Sequence, residues 1–250
     1  MNVVDTALPG VLIIEPEVSA DEYGYVVDAF DFERYRRVGI RMPFLQINHV
    51  RAKGNVLRGL TFQRNNPQGR LVRVTRGAVY AVVVDVDPYS AGCGAYVGVE
   101  LNDENCRQLW VPAGAAHGFC VISDVADLEY QCDEPNDPAD VAGVIWNDST
   151  VAIPWPTRNP LVSVADAKHP TLLEHVTAAG FEVGYSEQLA ERLDELLKER
   201  FDVVPYFIRT RIRAVKRRQL EVWLDRLDGA TRLEDVFGRM DSLGFGMAHR

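Results

Sequence analysis

The segment Pro112-Ala113-Gly114-Ala115-Ala116-His117 puts an imidazole just after a Pro/Gly turn. That turn returns the chain into a new strand with the histidine at its start. A histidine so placed is a metal ligand only in company, because an ion needs three or four donors. The earlier strand that would have to supply them reads Leu57-Arg58-Gly59-Leu60-Thr61-Phe62-Gln63 and contains no histidine. No metal centre and no cofactor are expected, so the chemistry must come from ordinary acids, bases and hydrogen bonds. Two further residues suit such chemistry. In Leu128-Glu129-Tyr130-Gln131-Cys132, strand alternation groups Leu128, Tyr130 and Cys132 on one face. The phenol then points inward, where its hydroxyl must find a partner, although a plain core tyrosine has the same pattern. Arg58 interrupts an apolar strand. Directed inward, its guanidinium needs an anion such as a diphosphate; directed outward, it is a solvated surface group. His117 by itself also reads as a hydrogen-bonded turn histidine, and Asp166 as a loop or helix-cap carboxylate. Cys93, Cys106, Cys120 and Cys132 form no C-x-x-C pair and read as reduced, mostly buried thiols.

These side chains have to be held by short strands. Val11–Glu15, Phe44–Asn48, Val56–Phe62, Leu71–Thr75, the Val-rich Ala78–Val86, Tyr96–Leu101, Gln108–Val111, Gly118–Ile122, Leu128–Cys132 and Val144–Trp146 succeed one another. Between them lie turn or loop segments at Arg51–Asn55, Arg76-Gly77, Asp87–Gly92 and Asp133–Pro138. Strands so closely spaced, with no amphipathic helix among them, predict a mainly β chain folded as an antiparallel jelly-roll barrel. After Trp155-Pro156 the pattern changes. Leu189, Leu193, Leu196 and Leu197 have helical spacing within Ser186–Phe201. Pro205 can open a longer helix to about Leu227, with Ile208, Ile212, Val215 and Val222 on one stripe, ended by Gly229. Thr231-Arg232-Leu233-Glu234 has the form of a capping box. The expected organisation is a barrel domain over residues 1–175 and a helical C-terminal extension over residues 185–250.

Over its 250 residues the chain is 47% apolar and 25% charged, which describes a folded protein rather than a disordered one. Its 27 Lys+Arg against 36 Asp+Glu give a net charge of −9, which argues against nucleic acid as a partner. No apolar run reaches the ~18–20 residues of a membrane span. Met1–Asp5 has no basic leader character, so the expected location is the cytoplasm. The local exception in charge is Arg209, Arg211, Arg213, Lys216, Arg217 and Arg218. This run reads as a solvated helix face, or as a docking surface for an acidic partner, an anionic membrane or a phosphate.

The Pro112-x-Gly114-x-x-His117 spacing is that of the second half of the cupin signature, and larger blocks carry a more specific resemblance. Asn55–Gln63, Pro67–Val74, Arg107–Pro112, Ala116–Phe119, Gly143–Asp148 and Ile153–Pro156 resemble, in order, the dTDP-4-dehydrorhamnose 3,5-epimerase family over about residues 1–170. The resemblance implies a metal-free, cupin-like jelly-roll homodimer acting on a dTDP-linked 4-keto-6-deoxyhexose in deoxysugar and polysaccharide biosynthesis. The 4-keto group acidifies the protons at C3 and C5, so a base can form an enolate and an acid can reprotonate the other face. By motif, the resemblance implies that Tyr130 is the acid and that Asp166 is the carboxylate that orients a histidine base. It likewise implies that Arg58, Arg70, Gln46, Asn48 and His117 line the substrate pocket.

The departures from the family pattern are as informative. Where the family has its catalytic histidine, this chain has Thr61, whose hydroxyl is far too weak a base for an α-proton near neutral pH. Asp166 and His117 are then the candidate substitutes. Tyr23 stands where the family has a phosphate-binding arginine, and Glu134–Pro138 has no aromatic residue to stack on a base. Two readings follow: an isomerase with altered chemistry, or a catalytically silent sugar-nucleotide-binding or scaffold protein. Finally, Arg58 and Thr61 are three residues apart, so alternation would part them. A bulge or twist at Gly59 is required to bring both to one pocket.

Overall fold

The sequence Ala78-Val79-Tyr80-Ala81-Val82-Val83-Val84 has apolar residues on both faces of its strand, and both faces are buried. Val79, Ala81 and Val83 join one apolar cluster while Val82 and Val84 join another. This strand therefore lies in the middle layer of a fold with packing on each side of one sheet. The computed structural model of the chain describes residues 1–40, 43–201, 204–215 and 217–238.

Four short strands come first: β1 (Asn2–Asp5), β2 (Leu12–Glu15), β3 (Val18–Asp21) and β4 (Gly24–Val27), followed by the helix α1 (Phe32–Arg37). The barrel strands are β5 (Gln46–Lys53), β6 (Val56–Gln63), β7 (Arg70–Arg76), β8 (Ala78–Val84), β9 (Tyr96–Asn102), β10 (Gln108–Val111), β11 (Ala116–Val121), β12 (Val125–Cys132), β13 (Val141–Gly143) and β14 (Leu161–Val162). One sheet has the order β1-β2-β10-β7-β12-β5, and the other β13-β6-β11-β8-β9. β14 lies parallel to the start of β6, and every other pairing is antiparallel. The main core fills the space between the sheets, with Val72, Val74, Leu109 and Leu128 from the first meeting Val79, Ala81, Phe119 and Val121 from the second. This is the mainly antiparallel barrel with C-terminal helices that the strand rhythm predicts.

The alternation conflict on β6 is resolved by a bulge. Thr61 pairs with His117 and Arg58 with Phe119, so Gly59 and Leu60 together oppose the single residue Gly118. Val56 packs on the main core, whereas Leu60 and Phe62 belong to the outer cluster with Val82 and Val84. Arg58 and Thr61 consequently share the inner face. Gly59 has φ +105°, and a Cβ there would lie 2.6 Å from both Gly118 Cα and His117 O.

Several boundaries differ from the sequence expectation. The loop expected at Arg51–Asn55 shrinks to Gly54-Asn55, because Arg51, Ala52 and Lys53 continue β5 in register with β12. The strand expected at Val144–Trp146 is instead β13, Val141–Gly143. Val144 N still bonds to Leu60 O, but Ile145 N turns away to Pro170 O. The chain divides into two compact units, Met1–Val176 and Thr177–Arg250. The first long helix, α2 (Leu172–Arg200), begins well before Ser186. Its start is fixed by Thr171 and Glu174, where Thr171 N and Oγ1 donate to Glu174 Oε2 at 2.8 and 2.9 Å and Glu174 N donates back to Thr171 Oγ1. Asp148 adds a second anchor, accepting from Leu172 N at 2.8 Å and from Thr150 N and Val151 N at 2.8 and 3.0 Å.

In the second unit the helix expected from Pro205 to Leu227 is two helices, α3 (Tyr206–Ala214) and α4 (Arg217–Leu227). Val215 between them is extended (φ −104°, ψ 156°), which resets the apolar stripe. Ile208 and Ile212 are buried as expected, but α4 buries Leu220, Trp223 and Leu227 rather than Val222. The last helix, α5 (Leu233–Phe237), is capped by Asp235 instead of Glu234: its carboxylate accepts from Thr231 N, Thr231 Oγ1 and Arg232 N. No described helix is long and apolar enough to cross a membrane.

Two stability predictions follow from these contacts. Gly59→Ala should destabilise the barrel by at least about 1–3 kcal/mol through backbone strain alone, read by chemical denaturation. Asp148→Ala should cost about 1.5–3 kcal/mol at neutral pH. Burial raises the Asp148 pKa, but its backbone hydrogen bonds outweigh that and hold it below the ordinary value. The stability it contributes is thus present above about pH 3.9 and fades as pH falls through the folded pKa, so wild type and variant should converge in acid.

Candidate active site

Register places the candidate residues on facing walls. On the first sheet Tyr130 pairs with Asn48 and Val72, and Cys132 with Gln46 and Arg70. Directly paired residues project to the same side, and Val72 belongs to the main core. Gln46, Asn48, Arg70, Tyr130 and Cys132 therefore share the inner face. On the second sheet His117 pairs with Thr61 and with the core residue Val83, so His117, Thr61 and, through the bulge, Arg58 face them. Side-chain contacts agree with this placement. The His117 and Tyr130 rings meet edge-to-face with centroids 5.8 Å apart. Gln46 Nε2 donates to Asn48 Oδ1 at 2.9 Å, and Arg70 Nε donates to Gln68 Oε1 at 2.9 Å.

Electrostatics fixes the protonation states. His117 is buried, and its Nε2 has no hydrogen-bond partner. Burial, reinforced by the Arg70 cation, lowers its pKa to about 3, so the ring is neutral at physiological pH. With so low a pKa it is a poor acceptor for an α-proton, and the base role open to it in sequence is disfavoured. A buried ring nitrogen without a partner costs roughly 1–3 kcal/mol, which a bound polar ligand would recover. Tyr130 lies against the core, and burial raises its pKa well above the ordinary phenol value; Arg70 and Arg58 pull the other way. The phenol is protonated, with two cations within electrostatic reach. Arg70 is itself desolvated, while Arg58 is exposed.

Asp166 stands apart from these walls. It opens a short 3-10 turn, Asp166–Lys168, after β14. Ser163 Oγ donates to its Oδ2 at 2.8 Å, and its Oδ1 lies 3.8 Å from His169 Nε2. His169 lies against β13: a Cβ on Gly143 would be 2.8 Å from His169 Cδ2 and Nε2. Sequence reasoning passed over His169, although the Asp166-x-x-His169 spacing, one turn of helix, was its visible signal. It also passed over Gln63, which is buried and donates through Nε2 to Asn136 Oδ1 at 3.1 Å, bracing the loop after β12. In the C-terminal unit, Arg209 of the basic run pairs with Asp194 at 3.5 Å and Arg213 is exposed. Lys216 lies outside the described residues.

The His117 environment predicts a pH effect on stability. The unfolded chain takes up this proton near about pH 6.5, whereas the folded chain does so only near pH 3. Stability should therefore fall on acidification from about pH 6.5 to 4.5, with a slope approaching about 1.4 kcal/mol per pH unit for this group. Melting curves of His117→Asn should be flatter over that window.

The family model described as dTDP-4-dehydrorhamnose 3,5-epimerase matches residues 5–174. The curated enzyme of that name from Salmonella typhimurium is 42% identical over 175 residues, covering 69% of this chain and 96% of the relative. A dTDP-4-dehydrorhamnose 3-epimerase from Streptomyces niveus is 36% identical over 168 residues, covering 66% and 81%. Among solved structures, the dTDP-6-deoxy-D-glucose-3,5-epimerase of Legionella pneumophila, in complex with dTDP-4-keto-L-rhamnose, superposes with a TM-score of 0.67 at 38% identity, covering 69% of this chain and 93% of that one. With the family model spanning well over half its length and each of these relatives covered to at least 81%, this chain belongs to the dTDP-4-dehydrorhamnose 3,5-epimerase family.

Proposed function

We propose that the chain is an isomerase of deoxysugar biosynthesis that moves a proton beside the ketone of a dTDP-linked 4-keto-6-deoxyhexose. The observation that carries this reading is the convergence of Tyr130, Arg70, Arg58 and His117 on the inner faces of the two sheets. Tyr130 is a protonated phenol with two guanidinium groups in electrostatic reach. It can give its proton to an enolate carbon, and Arg58 and Arg70 then offset the phenolate charge. Exposed Arg58 suits the diphosphate. His117 Nε2, Gln46 and Asn48 supply neutral hydrogen bonds to sugar hydroxyls or the ketone oxygen.

The chemistry is a pair of proton transfers. A base takes the α-proton, and the C–H electron pair moves into the enolate. Tyr130 then protonates the opposite face, and base and phenolate exchange their charges with solvent, so substrate and product are isomers. Whether one centre or both invert depends on which carbon meets the base; the family includes a relative named as a 3-epimerase. The silent-scaffold alternative raised by Thr61 is not favoured, because the curated relatives it resembles are named as epimerases.

A homodimer fits the exposed β3–β4 hairpin, where Tyr23 is 89% and Val26 71% exposed. In the tail, an acidic partner would meet the basic run, within which Arg213 is exposed and Arg209 pairs with Asp194.

The test is incubation with dTDP-4-keto-6-deoxyglucose in D₂O, followed by NMR and mass spectrometry. Deuterium at C3 or C5 and an inverted product are expected. Tyr130→Phe should slow inversion by about 10²–10⁴. No deuterium in the sugar, together with tight binding of dTDP, would favour the silent protein.

A further inference from the structure

We propose that His169, with Asp166 beside it, is the base that removes the α-proton, in place of the histidine that the family pattern has at position 61. The inference rests on the enolate chemistry proposed above. It starts from a lack: Thr61 is too weak a base, and His117 is a neutral ring held at a very low pKa. The described inner walls offer no other imidazole.

Three observations locate His169. Gly143 pairs directly with Thr61 across β13 and β6, and directly opposed residues project to the same face with Cβ positions about 4.5–5.5 Å apart. The space in front of Gly143 is filled by the His169 ring, since a Cβ there would lie 2.8 Å from Cδ2 and Nε2. The imidazole therefore stands one side-chain spacing from Thr61, on the face that Arg58 shares. The second observation is the anchoring of its segment. β14 pairs with Val56 and Leu57, and β13 pairs with Thr61, Phe62 and Gln63, so the connection carrying Asp166 and His169 is held to one edge of β6. The bond from Ile145 N to Pro170 O, 2.8 Å, fixes the residue after His169.

The third observation is the pairing itself. The side chains of His169 and Asp166 are only 16% and 13% exposed, and Asp166 Oδ1 is 3.8 Å from His169 Nε2. The other carboxylate oxygen is held by Ser163 Oγ. Among the described residues His169 Nδ1 makes no hydrogen bond. The Asp166 carboxylate is in ion-pair range of the ring rather than hydrogen-bonded to it, and the Gly143 space meets the same Nε2–Cδ2 edge. In the step, the imidazole takes the α-proton, the C–H pair enters the enolate, and Asp166 offsets the imidazolium charge. Tyr130 completes the inversion, and His169 returns its proton to solvent.

The experiment compares wild type, His169→Asn and Asp166→Asn in the D₂O assay across pH 5–9, with dTDP binding and melting temperature measured on each. Wild-type exchange should rise with pH as the base is freed of its proton. His169→Asn should lose about 10²–10⁴ of the exchange rate and this pH dependence with it, while still binding dTDP. Asp166→Asn should slow exchange by a smaller factor with dTDP binding unchanged, because the imidazolium formed in the step loses its neighbouring charge. Exchange in His169→Asn within about tenfold of wild type overturns the assignment and leaves the proposed function intact. So does a loss of exchange accompanied by a loss of dTDP binding, which marks a structural role. Absence of exchange in the wild type overturns both.

Discussion

The approach of two backbones, Gly59 on β6 and Gly118 on β11, sets the geometry on which the rest depends. With no Cβ at either position the strands close up, and β6 fits two residues opposite one. The slip changes which side chains face inward. Before it, Val56 and Arg58 point between the sheets. After it, Thr61 and Gln63 do, while Leu60 and Phe62 turn outward to pack with Val82, Val84, Ala142 and Val144. A regular strand would put either Arg58 or Thr61 in the outer apolar cluster. One bulge thus serves both the pocket wall and the second core.

The inner face so formed is well supplied with proton donors and cations and poor in bases. Burial and Arg70 together keep His117 neutral, while burial keeps Tyr130 protonated. Both effects come from the same low-polarity interior that packs Leu109, Leu128 and Phe119 close by. A carboxylate or an imidazolium placed on these inner walls would pay that desolvation too. The ionisable pair Asp166 and His169 instead occupies the sheet edge, where Ser163 and residual solvent support its charge. Division of the acid and base functions between a dry wall and a wetter edge follows from what each must do: one keeps its proton until an enolate appears, the other must exchange protons with water.

How much of this was legible in the sequence depends on how local each signal is. Val-rich runs and alternation identified the barrel strands and the inward phenol of Tyr130, because a two-residue period survives without knowledge of partners. The conflict between Arg58 and Thr61 even pointed to a bulge or twist at Gly59, and the bulge is there. The missed features depend on contacts distant in sequence. Arg51–Lys53 reads as a loop until β12 is seen to pair with it, and Val144–Trp146 reads as a strand until Ile145 is drawn off by Pro170. The start of α2 was readable in Thr171-x-x-Glu174, but its second anchor, Asp148, lies on the far side of a loop. The break between α3 and α4 turns on the extended Val215, which has no helix-breaking neighbour to announce it.

The residues around His169 make sense as a set of mutual allowances. Its ring fills the room that Gly143 leaves open, and that room adjoins the side chain at position 61. Threonine at 61 is short enough to leave the ring undisturbed, and glycine at 143 is the residue that admits it. Thr61, Gly143, Asp166 and His169 are therefore read together, as one packing arrangement along the β6 edge.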